Sequence, residues 1–264
     1  MAISQVRICV LGSGSSGNCT YVASAQTAIL IDAGLSCKET GRRLELVGVH
    51  LADVKAVCVT HEHDDHTAAL GVLHRRFGLT LFANSATASA IDQGCKAKSV
   101  AWNIFTTGYS FEVGDLKIDA FSVPHDSYDP VGFIVSCGDR RVGIVTDMGM
   151  VTGLIRERLK KCNAVVIEAN HDEKLLKDAA RPWSLKQRIA GRQGHLSNSQ
   201  AAQLITDIAW PDLRTIFLAH LSAECNRPEL AMTTAQEAVK KAGHGETTAV
   251  ILTYPDKPSD MIAL

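Results

Sequence analysis

Strand-sized apolar runs recur along this chain, and most of them stop on a side chain that can hold a metal or move a proton. Residues 6–11 run into Gly12-Ser13-Gly14-Ser15-Ser16-Gly17-Asn18. Residues 27–31 end at Asp32, 56–59 at Thr60-His61, and 116–123 close to His125. Residues 141–146 end at Asp147, 164–167 at Glu168, and 215–219 at His220. The runs are rich in Val, Ile and Phe, have strand length and are bounded by Gly, Asp or Pro. Helical stretches lie between them, at 36–46, 67–77, 86–93, 151–161, 172–179, 184–190, 199–208 and 233–241, with an N-cap at 197–199 and a stop at Gly243. Rigid sheets place function on the loops at their strand ends. The pattern reads as one α/β domain, residues 1–264, whose strand ends bring His, Asp and Glu together on one edge.

Composition narrows the class. The 264 residues are 46% hydrophobic and 21% charged, as in ordinary globular proteins. A net charge of −1 gives no global pull toward nucleic acid or anionic lipid, so any such contact must be a local basic patch. The opening Met1-Ala2-Ile3-Ser4-Gln5-Val6-Arg7 lacks the pattern of a secretory signal, and no apolar run approaches the ~18 residues of a membrane span. Cysteines at 9, 19, 37, 58, 95, 137, 162 and 225 show no Cys-x-x-Cys spacing. They read as small buried hydrophobes in a reducing cytoplasm.

The chemistry centres on His61-Glu62-His63-Asp64-Asp65-His66, three imidazoles and three carboxylates in six residues. In a strand-to-helix turn, His61 and His63 face one position while Asp65 and His66 face another, so one turn can serve two cations. Nitrogen and oxygen donors suit zinc and also admit manganese or iron. Gly12-x-Gly14-x-x-Gly17 also comes directly after a strand, but the dinucleotide fingerprint needs a helix opening at those glycines. The next residues are Cys19-Thr20-Tyr21-Val22, another strand, so a hairpin-like turn explains the glycines better.

His61-x-His63-x-Asp65-His66, followed in order by His125, Asp147 and His220 and preceded by Asp32, resembles the metallo-β-lactamase superfamily over nearly the whole chain. The resemblance implies an α/β fold, a four-layer αββα sandwich of two mixed β-sheets flanked by helices. It implies two divalent metal ions, zinc or manganese first and iron as an alternative. His61, His63 and His125 would hold one, Asp65, His66 and His220 the other, with Asp147 bridging and Asp32 orienting the ligand loop. Asp65 would also be catalytic. Glu168-Ala169-Asn170 and Gly194-His195-Leu196-Ser197 look like the phosphodiesterase branch that contains the RNase Z enzymes, where a Glu–His pair stands beside the metals; Glu168 and His195 would be that pair. The Gly/Ser loop at 12–18, Pro124-His125-Asp126, Asp129-Pro130-Val131-Gly132 and Gly194-His195-Leu196-Ser197-Asn198 resemble the YycJ/WalJ family more closely still. That family implies a 5′-to-3′ DNA exonuclease in which a water activated by the cations is the nucleophile.

A phosphodiester is anionic, and two adjacent cations offset that charge. The leaving alkoxide needs a proton, which an imidazolium beside a carboxylate supplies near neutral pH. Substrate contacts are open between two readings. Lys174, Lys177, Arg181, Lys186, Arg188 and Arg192 surround Trp183. Of these, Trp183, Lys186 and Arg188 suit a phosphate backbone and an unstacked base; the alternative is a solvated helix with Trp183 in the core. Ser16, Asn18, Asn198 and Ser222 are further candidates, and His171 lies close to Glu168. The expected partner is nucleic acid, DNA before RNA, with no membrane; the oligomeric state is open, a homodimer included.

Competing readings are a small-molecule hydrolase of the same fold (cyclic-phosphate diesterase, thioesterase or lactonase) and an RNase Z-like RNA processing enzyme. No insertion resembling the RNase Z tRNA-binding arm is evident, and the 72 residues from 148 to 219 leave no room for a β-CASP insertion. A di-iron oxidoreductase is disfavoured by His63, where such enzymes carry Glu or Asp. A non-catalytic module is disfavoured because every ligand position is filled.

Overall fold

The computed structural model describes residues 5–94 and 100–264; Cys95 and the first four residues of the N-terminal segment lie outside them. In chain order the elements are β1 (Arg7–Gly12), β2 (Cys19–Ala23), β3 (Ala28–Ile31), α1 (Cys37–Leu46), β4 (Val54–Cys58), α2 (Asp64–Thr67), α3 (Leu70–Phe77), β5 (Thr80–Asn84) and α4 (Ser85–Gln93). Next come β6 (Trp102–Phe105), β7 (Ser110–Val113), β8 (Leu116–Ser122), β9 (Val131–Cys137), β10 (Arg140–Val145), α5 (Gly153–Leu159), β11 (Ala164–Glu168), α6 (Glu173–Asp178) and α7 (Trp183–Ile189). The last are α8 (Asn198–Ile208), β12 (Thr215–Ala219), α9 (Pro228–Lys241), β13 (Ala249–Leu252) and β14 (Ile262–Ala263). The strands form two mixed seven-stranded sheets flanked by helices, in the orders β14-β1-β2-β3-β4-β5-β6 and β13-β12-β11-β10-β9-β8-β7. No helix among the described residues is long and apolar enough to cross a membrane.

The chain divides into two compact units. The first comprises Met1–Ser122, Ser127–Arg140 and Tyr254–Leu264. Its β1 and β2 are an antiparallel hairpin with an irregularity between Val10 and Gly12, as expected of a glycine turn rather than a nucleotide-binding one. β3 and β4 then run parallel, with Ile31 opposite Cys58, so Asp32 and Thr60 leave the sheet at the same end. Every residue of β3 is buried, which is why a continuous apolar run marks it. The helix expected over 67–77 begins at Leu70 and ends as expected at Phe77, with the short α2 closing at Thr67 before it. The His66 carbonyl accepts from Ala33 N at 2.8 Å, and Ala69 N donates to Ala33 O at 2.9 Å, so β3's exit takes the groups that would continue the ladder.

The second unit comprises Val123–Asp126 and Arg141–Thr253. β10, β11, β12 and β13 are parallel, with Val145 opposite Ile167 and Ile167 opposite Leu218. Asp147, Glu168 and His220 therefore emerge from one edge, at the carboxyl ends of parallel strands. α8 opens with a full capping box between Ser197 and Gln200. α9 starts at Pro228, five residues before the expected 233, because proline at the first helical position needs no N–H partner.

Candidate functional site

In the first unit the cluster is built on Asp32. Its Oδ1 accepts from Thr60 N at 2.8 Å and its Oδ2 lies 2.7 Å from His66 Nδ1. The Thr60 hydroxyl lies 2.9 Å from Asp32 Oδ2 and 3.0 Å from His61 Nδ1. The carboxylate takes the hydroxyl hydrogen, so that oxygen accepts from His61. Both rings then carry hydrogen on Nδ1 and present Nε2 as a lone pair, tautomers fixed by their partners. His61 Nε2 lies 3.1 Å from His63 Nδ1. That spacing suits two nitrogens sharing one cation at about 2.0–2.1 Å each. The Asn18 amide nitrogen lies 3.0 Å from His66 Nε2 and 3.2 Å from Asp65 Oδ2, so these two acceptors aim at a common point. Gly34 explains how the turn is held. A Cβ there would stand 1.6 Å from the Asp65 carbonyl oxygen, so only glycine lets the backbone after β3 lie against the 61–66 turn.

In the second unit the cluster is built on Glu168, which is fully buried. Oε1 lies 2.7 Å from His195 Nδ1 and 3.1 Å from His220 Nδ1, while Oε2 accepts from Met148 N at 3.0 Å and Leu196 N at 3.2 Å. Burial opposes the charge on Glu168, but the His195 imidazole by charge and hydrogen bond, then His220, hold its pKa well below the usual carboxylate range. Burial likewise opposes the charged form of His195, and Glu168 with help from Asp147 overcomes it, so that pKa is raised. Asp147 Oδ1 lies 3.5 Å from His220 Nε2 and 3.6 Å from His195 Nδ1. Asp147, Glu168, His195 and His220 each offer a ligand atom within 4.8 Å of the others. His125 is buried with Nδ1 3.2 Å from the Gly194 carbonyl, which leaves Nε2 as its lone pair. Burial lowers its pKa and favours the neutral, ligating form. In both units the donors are imidazole nitrogens and carboxylate oxygens, with His66, His195 and His220 backed by a carboxylate, His125 by a carbonyl and His61 by the Thr60 hydroxyl, and that set fits a divalent transition-metal ion.

The Beta-lactamase superfamily domain matches residues 27–220. Exodeoxyribonuclease YycJ of Bacillus anthracis is 35% identical over 237 residues, 89% of this chain and 90% of that protein. Exodeoxyribonuclease WalJ of Streptococcus pneumoniae serotype 2 is 35% identical over 252 residues, 94% of each. The metallo-β-lactamase fold protein YhfI of Bacillus subtilis superposes with a TM-score of 0.74 at 14% identity, over 98% of this chain and 100% of that one. This chain belongs to the metallo-β-lactamase superfamily, in its YycJ/WalJ family. It is a hydrolase, and its fold and donor clusters imply divalent metal cofactors.

The remaining candidates of this YycJ/WalJ-family chain take varied places. Asn18 is buried against the 61–66 turn. Asn198 is buried and pairs with Asn226. Ser222 Oγ accepts from Cys225 N at 3.1 Å, and Ser16 is exposed. Trp183 is 66% exposed on α7, which excludes the reading as core. Of its basic neighbours, Arg188 pairs with Asp126 and Arg181 with Glu224, while Lys186 Nζ donates to the Lys177 carbonyl at 2.5 Å. Thr60, Gly34 and Asn170 were not singled out by the sequence as functional. Asn170 donates to the His220 carbonyl at 2.8 Å. Their roles come largely from contacts distant in sequence; the position of Thr60 at a strand end and of Asn170 in the Glu168-Ala169-Asn170 motif are the hints the sequence offers.

Proposed function

We propose that this chain is a dinuclear-metal nuclease that hydrolyses the phosphodiester bonds of DNA from the 5′ end. The supporting observation is the Glu168–His195 pair at 2.7 Å, in a chain 35% identical over most of its length to proteins named exodeoxyribonucleases. His61, His63 and His125 are proposed for one ion, Asp65, His66 and His220 for the other, and Asp147 for both, with zinc or manganese as the metal. When bound, such ions offset phosphodiester charge and lower the pKa of water.

Glu168 holds the His195 Nδ1 hydrogen and favours the imidazolium. The Nε2 hydrogen is then the one given to the departing alkoxide. Four hydrogens on the Glu168 oxygens keep that carboxylate ionised through the transfer. A thioester hydrolase has less need of this donor, because a thiolate is a less basic leaving group than an alkoxide.

The test uses 5′- and 3′-labelled single- and double-stranded DNA and RNA, with Mn²⁺ and with Zn²⁺. Release of nucleotides from the 5′ end of DNA is expected from wild type and none from Asp65→Ala. Hydrolysis of thioesters, lactones or cyclic phosphates without cleavage of any polynucleotide overturns the reading.

A further inference from the structure

The segment after His125 carries an exposed aromatic ring on an immobilised backbone. Tyr128 is 76% exposed. Its N–H donates to Glu62 Oε1 at 3.2 Å, and Glu62 stands between His61 and His63. Three residues on, Val131 N donates to the Thr60 carbonyl at 3.1 Å, just before His61. Between these ties the Asp129 carbonyl accepts from Asn84 at 2.7 Å and its carboxylate accepts from Thr107 at 2.8 Å. Pro130 restricts the backbone at the next position. All of these residues lie in the first unit. Lone exposed aromatics are ordinary on protein surfaces. This one differs because three backbone hydrogen bonds and one through the Asp129 side chain hold the segment that carries it, one of them to Glu62 in the 61–66 turn and one to Thr60 just before it.

Resting on the nuclease reading, we propose that Tyr128 is the platform on which a base of single-stranded nucleic acid stacks beside the 61–66 turn. On a held backbone only the two side-chain torsions of the tyrosine remain to be ordered, so stacking costs little entropy, and it tolerates any base because each has a π-face. The Glu62 carboxylate at its foot disfavours a phosphate there and so selects the neutral base over the backbone. Glu62 Oε2 in that turn and Ser127 Oγ beside Tyr128 are buried without a partner among the described residues, so both segments keep polar capacity that the fold does not use.

The experiment titrates a phosphorothioate single-stranded oligonucleotide, and its abasic counterpart, into metal-loaded wild type, Tyr128→Ala and Tyr128→Phe, read by fluorescence anisotropy. Tyr128→Ala should weaken the base-bearing strand roughly tenfold and leave the abasic strand unchanged. Tyr128→Phe should match wild type. Melting temperatures should agree, because the tie to Glu62 uses the backbone N–H. Equal affinity of wild type and Tyr128→Ala for the base-bearing strand overturns the assignment, as does an equal loss on both strands. Cleavage of ordinary DNA is followed in parallel. A wild type that cleaves while the variants bind alike removes Tyr128 alone; one that neither binds nor cleaves removes the nuclease reading with it.

Discussion

Four hydrogens converge on the two oxygens of buried Glu168, two from imidazole rings and two from backbone. An amide in its place keeps the shape but turns one acceptor into a donor that faces other donors. Glu168→Gln should therefore lower kcat by about 10²-fold or more, in the range of a lost general acid. His195→Ala should lose a comparable factor. The double variant should be little worse than either, since both break one unit. Metal content by elemental analysis accompanies the rates, because Glu168 also backs His220. Multiplying losses in the double variant would refute the pairing. Three of the candidate site residues carry backbone strain. Asp32, Asp147 and His220 have φ of +62°, +53° and +56°. Such left-handed conformations cost on the order of 1–3 kcal/mol each for residues other than glycine. All three lie just past the ends of parallel strands, where the chain turns sharply enough to aim the side chain off the sheet edge. That aim is also why such positions stand out in the sequence: a polar residue that ends an apolar run marks the turn and the candidate side chain together.

At the scale of elements, α1 holds the Gly/Ser loop in place. Arg43 is 4% exposed and donates to the Leu11 carbonyl at 2.8 Å, the Pro255 carbonyl at 2.9 Å and Glu39 at 2.6 Å. Removing that head group leaves buried carbonyls unpaired, so Arg43→Met should destabilise the protein by about 3 kcal/mol, read as a lower urea midpoint. The same helix supplies a pH test. Hydrogen bonds from Arg42 and then Arg43 hold the Glu39 carboxyl down to about 2 from its ordinary 4.5. A depressed carboxylate stabilises above its unfolded pKa and loses that contribution as pH falls toward the folded one. The urea midpoints of wild type and Glu39→Gln should differ by a constant amount above pH 4.5 and converge by about pH 2; a gap that is flat to pH 2 would show that the pair contributes nothing. Element boundaries explain what was legible. β3, β11 and β12 are buried along their whole length, so composition alone marks them. β6 and β7 are half exposed and carry polar residues, and no apolar run announces them. The break between α2 and α3 was invisible for another reason. It comes from hydrogen bonds to Ala33, 33 residues before His66, and no local propensity records them.

For the molecule as a whole, metal binding should appear as stability. The acidic and imidazole donors of both clusters are arranged in the folded chain and scattered over residues 61–220 in the unfolded one. A cation that binds only the folded form stabilises it by RT ln(1 + [M]/Kd), about 2.7 kcal/mol at a hundredfold excess over Kd. In a chain of this size that corresponds to roughly 5–10 °C in melting temperature. Dialysis against a chelator should lower the melting temperature by such an amount. Adding back Mn²⁺ or Zn²⁺ should restore it in proportion to the logarithm of free metal, and Mg²⁺ should restore less, because imidazole suits transition ions better. The dependence on concentration separates this from a general salt effect, which would not distinguish the ions. The chain's net charge of −1 sharpens the point: non-specific cation accumulation is small, so a logarithmic, ion-selective response reports built sites. If elemental analysis shows the transition metal gone while the melting temperature is unmoved, the paired donors around Asp32 and Glu168 stabilise the fold by themselves and their assignment as ligands fails.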